Sequence, residues 1–542
     1  MRMTRNRGWR CAIAVIASLL LPTVHKLRAQ EAAQTAAAES VDLLFAGGEM
    51  VDGSGAPALR ADVGIRGDRI VFVGDAAAAK IHAARTIDAS GLIVSPGFID
   101  PHTHTGGDLA NPKTAANLPY LMQGVTTVVF GNDGASPWPI ADALARMDRQ
   151  GIGTNAAILV GHGTVRGKVL GMADVAPTSA QLEQMKALVS QAMDEGAFGL
   201  STGLYYVPGN YSKTEEVIEL SKVAAAKGGI YDTHMRDEDS TSIGVLGSIE
   251  ETIRIGREAK IPVHISHIKM LGPEVWGKSV QAIEMIRKAR AEGVDVTANQ
   301  YPYTASGTSL VACLVPQWAQ EGGDSAMLAR LKDLSLRERL SAEMARNLEH
   351  RGGAESLLFT SSEAPDLLGK TLAAVAKERK LEPVATAMAL VTESAERKAL
   401  GRMAVASFNM SEDDIDRLMV QDWVMTGSDG SPGHPRKYGT FPRKLRLYVY
   451  EKKLLKLEDA VHKSSRLTAE TFRIPDRGLL RTGYFADVIV FDPKTIADES
   501  TYEKPEVLAT GVKYVTVNGR LVIEDGRFNG TLAGRALRKP SH

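Results

Sequence analysis

Between about residues 92 and 430, apolar runs of strand length alternate with stretches whose apolar residues recur every three to four positions. The runs are Leu92 to Ile99, Val125 to Gly131, Asn155 to Gly161, Ala197 to Leu204, Gly229 to His234, Pro262 to His267, Val294 to Asn299 and Asp422 to Gly427. Such alternation predicts parallel strands joined by helices, and eight is the number a β/α barrel requires. Thr178 with Gln181 and Ser212 with Glu215 have capping-box spacing, and Leu182, Met185 and Val189 then recur at helical period. A doubly wound sheet is the competing architecture, but no glycine-rich phosphate fingerprint follows the first run. The expected fold is therefore an α/β class (β/α)8 TIM-like barrel.

The two ends of the chain read differently. Residues 41–95 are short apolar strands cut by Gly and Asp pairs, as in VDLLFAGGEMVDGSG, and the same texture returns in residues 475–542 at ADVIVFDP and VKYVTVNGR. This is hairpin chemistry, and the two ends are expected to build one small β-sandwich domain beside a barrel spanning 96–474. One connection, about 306–365, is too long for an ordinary loop. Its helix-forming content predicts an inserted, lid-like subdomain over the barrel mouth, with a plain surface insertion left open.

Composition changes the picture little. Apolar residues at 44% and charged residues at 24% are ordinary globular values, and 64 basic against 64 acidic residues leave no excess for a phosphate backbone, so no nucleic-acid partner is expected. The start is distinctive: Arg2, Arg5, Arg7 and Arg10 precede the apolar run Cys11 to Val24, and Ala29 follows. That order predicts a signal peptide over 1–29, a linker over 30–40 and secretion across the inner membrane to the periplasm. The run is shorter than the roughly 20 apolar residues a membrane span needs, so no stable membrane insertion is expected after cleavage. Of two cysteines only Cys313 would remain, which excludes an internal disulfide.

The chemistry lies where polar residues meet the ends of the eight runs. His102 and His104 follow the first, Asp133 the second, His162 the third, and Tyr205 and Tyr206 the fourth. His234 ends the fifth, His267 and Lys269 the sixth, Tyr301 and Tyr303 follow the seventh, and Asp429 follows the eighth. The carboxyl ends of barrel strands form the active-site face. His102 and His104, two apart on an extended segment, point to one side. With His234, His267 and Asp133 they supply imidazole and carboxylate ligands for one or two divalent ions. Alternation in VHISHIK puts His267 and Lys269 on one face and His264 on the other, which leaves His264 as a packing residue. Lys269 suits an anionic substrate group, with Arg436 approaching the same mouth; a solvated strand-end lysine is the plain alternative. Asp429 in Ser-Asp-Gly is either a catalytic carboxylate or a turn former.

The motifs VSPGFIDPHTH, GHGTVR, STGLYYVPG, GGIYDTHMRDE, HISHIK, YPYTASGT and TGSDGSPGHPRKYGTFPR, with the terminal ADVIVFDP, stand in this order from about Val41 to Arg538. Together they resemble the N-acyl-D-amino-acid deacylase (D-aminoacylase) family of the metal-dependent amidohydrolase superfamily. The resemblance implies a zinc-dependent barrel with a β-sandwich from both chain ends, acting on small N-acyl amino acids. By position, His234 and His267 would hold the main zinc and His102 and His104 a second, weaker ion, another divalent metal remaining open. Asp429 would be the general acid/base, and Lys269, Arg436 and one of Tyr301 and Tyr303 would bind the substrate's α-carboxylate. The departure is Asp133, in Gly-Asn-Asp-Gly where the family usually has cysteine; a bridging carboxylate suits two ions better than one soft thiolate-bound zinc. Hydrolysis of another amide (a dipeptide, a cyclic imide or hydantoin-like ring, or a non-amino-acid amide) and a catalytically dead binding protein are the rival readings.

Overall fold

The computed structural model describes residues 40–399 and 403–540. The signal peptide and nearly all of the linker expected before residue 41 lie outside the described residues. Among the described residues, eight parallel strands form the barrel wall: β1 Phe98–Thr103, β2 Val125–Phe130, β3 Asn155–Ile158 continued by Val160–Gly161, β4 Gly199–Gly203, β5 Ile230–His234, β6 Val263–Ile265, β7 Val296–Gln300 and β8 Val424–Thr426. Each pairs in parallel with the next. The segment after β8 returns to β1 through the parallel bridge Thr103–Gly430, where the Asp429 N–H donates to His102 O at 2.9 Å and the His104 N–H to Gly430 O at 3.1 Å. Helices such as Ser179–Asp194 and Gly244–Ala259 cover the outside. The Thr178/Gln181 capping box is present. The Ser212/Glu215 box is not: the helix begins at Thr214, and the Ser212 hydroxyl donates to Gly209 O in the preceding turn.

The first expected run does not act as one strand. Ile93–Pro96 pairs antiparallel with Val488–Phe491 in a seven-stranded sheet drawn from both chain ends, and β1 starts only after Gly97. This sheet faces a four-stranded one, with Phe45, Val63, Ile65, Val94, Val488 and Val490 packed between them. Hydropathy cannot show this division, because both halves of the run are buried. The sandwich is tied to the barrel by a buried polar knot: Asp487 takes the Arg477 guanidinium, the Asn518 N–H at 2.7 Å and Asn155 Nδ2 at 3.1 Å. Arg477→Met leaves that carboxylate without its cation, a loss of about 3–5 kcal/mol, and is expected to lower the thermal midpoint markedly in calorimetry.

The insertion is longer than the sequence spacing suggests, running from Ala305–Ser309 to Ala404–Phe408 rather than over 306–365. The last strand, Ala404–Phe408, lies between Ala305–Ser309 and Leu357–Ser361, so residues 366–399 belong to the same unit. Its helices share a separate core that includes Leu314, Met344, Phe359, Leu372, Val391 and Val405. Helix periodicity beyond residue 365 looks like that of any barrel helix, and only the strand pairing assigns it to the insertion. Among the described residues, no helix is long and apolar enough to cross a membrane.

Candidate active site

A cavity of about 900 Å³ opens at the carboxyl ends of the barrel strands, under a wall contributed by the insertion. His102, His104, Asp133 and Asp429 form one group of convergent donor atoms, and Asp133, His234 and His267 a second. Asp133 belongs to both. Its Oδ1 lies 3.5 Å from His102 Nε2, 3.5 Å from His267 Nε2 and 3.8 Å from His234 Nδ1, and its Oδ2 lies 3.5 Å from His104 Nε2. Two ligands on a tetrahedral ion with bonds near 2.0–2.1 Å stand about 3.3 Å apart, so these spacings fit a shared divalent ion. His102 Nε2 and Asp133 Oδ1 are moreover buried without a hydrogen-bond partner, as atoms reserved for a metal would be.

Backbone geometry makes the convergence possible. Asp133, His267 and Asp429 have φ of 57°, 34° and 49°, the left-handed region that non-glycine residues seldom occupy. Two close approaches surround Asp133. Gly131 has φ +87° and its missing Cβ would stand 2.3 Å from Leu159 O, and a Cβ on Gly203 would stand 2.3 Å from Asp133 O. Only glycine lets the strand-end loops come this close.

Outer contacts orient the imidazoles. His102 Nδ1 is 3.0 Å from Ser266 Oγ, which donates to Asp232 Oδ1 at 2.9 Å, and Asn132 Nδ2 donates to Asp232 Oδ2 at 3.0 Å. Asp100 accepts from the backbone N–H groups of His102 and Ser428, joining the first and last strand ends. Burial pushes the Asp100 and Asp232 carboxyls up to about 7. Burial works the same way on Asp133, yet His102, His267 and His234 hold it well below the usual carboxylate range. Asp429 is likewise buried and held low by Arg436, His267 and His104. Burial lowers His102, and lowers His234 to about 4, which favours the neutral imidazole a metal needs.

The remaining expected residues separate. Lys269 lines the cavity, buried, with Nζ 2.7 Å from Glu238 Oε1 and 2.7 Å from His267 Nδ1. It is no solvated lysine. Arg436 Nη1 lies 2.8 Å from Asp429 Oδ2. Tyr301 lines the cavity beside both cations, its ring centroid 4.7 Å from Arg436 Cζ and 6.0 Å from Lys269 Nζ, with Arg436 itself buried behind the cavity wall. Tyr303 does not line it: its ring packs on Arg443 and His434, and its hydroxyl is buried. His264 packs below the site, bonded to Thr297 and Asn299. His162 and Arg166 both bind Glu216 and brace the third strand end away from the cavity.

Glu238, in the loop after His234, is a further functional candidate. It bonds Lys269 and lies 3.1 Å from His267 Nδ1, and the signal for it was its position four residues after His234. Asp237 instead caps its own loop, accepting from the Asp239 and Gly244 N–H groups. His434, inside TGSDGSPGHPRKYGTFPR, lines the cavity as well, as do the insertion residues Cys313, Asn347, His350 and Arg351, which no motif marks.

A β/α barrel with imidazoles and carboxylates gathered at its strand ends defines the class of metal-dependent hydrolases. The sequence profile of the amidohydrolase family matches residues 85–523. The chain is 38% identical over 525 residues to D-aminoacylase of Alcaligenes xylosoxydans xylosoxydans, covering 92% of this chain and 98% of that protein. A solved D-aminoacylase structure with a binuclear metal centre superposes with TM-score 0.77 at 36% identity, covering 92% of this chain and all of the other. N-acyl-D-glutamate deacylase from Bordetella bronchiseptica, solved with zinc and a phosphonate mimic of the tetrahedral intermediate, does so with TM-score 0.77 at 32% identity and the same coverage. The chain belongs to the amidohydrolase family, and relatives that it matches at 34–38% identity over nearly their whole length are D-aminoacylase and the N-acyl-D-glutamate and N-acyl-D-aspartate deacylases of Alcaligenes xylosoxydans xylosoxydans.

Proposed function

We propose that this protein hydrolyses the amide bond of N-acyl-D-amino acids to a carboxylic acid and the free amino acid, with zinc as the working ion. The observation that carries the reading is one site holding four imidazoles and two carboxylates at the barrel mouth, with the cations Lys269 and Arg436 both within 6.0 Å of the Tyr301 ring. A divalent ion held by His102, His104, Asp133, His234, His267 and Asp429 would lower the pKa of a water towards about 7 and polarise the amide carbonyl.

Asp429 is fixed for proton transfer, with Oδ1 3.0 Å from His104 Nε2 and Oδ2 2.8 Å from Arg436 Nη1. It takes a proton from the attacking water and returns it to the leaving nitrogen as the C–N bond breaks. The water oxygen stays on the acyl carbon. Arg436 Nε and Nη1 carry no hydrogen bond, and together with the charge of Lys269 they suit the α-carboxylate of the substrate. The D preference is supported by the full-length relatives, and the basic-then-apolar start supports export to the periplasm.

Zinc-loaded protein is expected to release amine from N-acetyl-D-amino acids faster than from their L counterparts, followed by amine-specific derivatisation. Release from neither series, with metal shown to be bound, would turn the assignment to another amide such as a cyclic imide.

A further inference from the structure

Four arginines are buried among the described residues, and three have a carboxylate partner: Arg166 with Glu216, Arg436 with Asp429 and Arg477 with Asp487. The fourth, Arg351, has none within ion-pair distance. It follows the insertion helix Arg337–His350 and is 5% exposed on the cavity wall. Its guanidinium donates once, from Nη2 to the Tyr205 hydroxyl at 2.9 Å, and that hydroxyl donates to Ala312 O at 2.7 Å. Asp239, an acid on the same cavity, instead accepts the Ser240 N–H at 2.6 Å and faces His350 Nδ1 at 3.5 Å. Asp239 acts on Arg351 only through the longer-range field, and a buried cation without a direct ion pair is costly. The cavity is where its counter-charge would come from.

The placement suits a substrate that also reaches the metal ligands. The Tyr205 ring centroid lies 5.9 Å from Arg351 Cζ and 5.7 Å from the His234 ring centroid. The Tyr205 ring thus touches both the guanidinium side and a metal-ligand imidazole of the same cavity. We infer that Arg351 recognises a second carboxylate on the substrate, beyond the α-carboxylate, carried either at the end of the amino acid's side chain or at the far end of the acyl group. This rests on the amide-hydrolase reading above and narrows its substrate class to dianionic N-acyl amino acids.

The test compares kcat/KM within two near-isosteric pairs on zinc-loaded wild type, Arg351→Met and Arg351→Lys: N-acetyl-D-glutamate with N-acetyl-D-glutamine, and N-glutaryl-D-alanine with N-pentanoyl-D-alanine. A charged hydrogen bond predicts that wild type prefers the acid of one pair by about 10- to 100-fold. That ratio should collapse towards one in Arg351→Met and partly return in Arg351→Lys. Preference in the first pair identifies a side-chain carboxylate, and in the second an acyl carboxylate. Wild-type ratios near one in both pairs, or a preference that survives in Arg351→Met, overturn the inference while leaving the deacylase assignment standing. If Arg351→Met does not fold, the wild-type and Arg351→Lys ratios decide. Hydrolysis of none of the four compounds overturns both.

Discussion

Asp429→Asn is expected to lower kcat for an N-acetyl-D-amino acid by about 10³-fold at saturating zinc and substrate, within the range for losing a positioned acid/base. Asparagine keeps the size of the side chain but can neither accept a proton from water nor return one to the leaving nitrogen. The change also strips the buried Arg436 of its carboxylate partner, which stands 2.8 Å away. A fall in thermal midpoint should accompany the kinetic loss, because a buried charge left unpaired costs about 3–5 kcal/mol. Stopped amine-release assays and calorimetry on one preparation separate the two effects. A variant that is destabilised but keeps kcat within tenfold of wild type would remove Asp429 from the chemistry and leave it as the anchor of Arg436.

Asp133→Ala is expected to weaken divalent-metal binding at both groups together, by more than the 10- to 100-fold that loss of an outer-shell partner brings. The reason is its position: one carboxylate oxygen faces His102, His234 and His267 and the other faces His104. Asp133→Cys would replace two hard oxygens by one soft sulfur, and is expected to retain one tightly bound zinc while losing the second ion. Metal content by mass spectrometry after dialysis against a graded chelator gives the stoichiometry and order of loss. Wild-type metal content and affinity in Asp133→Ala would show that the carboxylate only counterbalances the imidazoles.

The sites of Asp133, His234 and His267 show how far local sequence reaches. Each stands at the end of an apolar run, and barrel logic alone assigns such positions to the mouth. That these side chains meet depends on left-handed backbone at Asp133, His267 and Asp429. No pattern of hydrophobic and polar residues announces such conformations. Tyr301 and Tyr303 make the same point: two residues apart and alike in sequence, one lines the cavity and the other packs behind it against Arg443 and His434.

What the linear chain determined is what depends on neighbours along it: eight strand-length runs, the Thr178 capping box, the hairpin texture at both ends, and the polar residues at the strand ends. Tertiary structure decided what depends on pairing between distant segments. It divided the run Leu92 to Ile99 between sandwich and barrel, because Ile93–Pro96 pairs with Val488–Phe491. It extended the insertion to Phe408, because Ala404–Phe408 is the middle strand of that sheet. It also left Arg351 buried beside Tyr205 with no acid in direct ion-pair contact. Local propensity acts over a few residues, whereas a buried charge finds or lacks its partner only when the whole chain has closed around it.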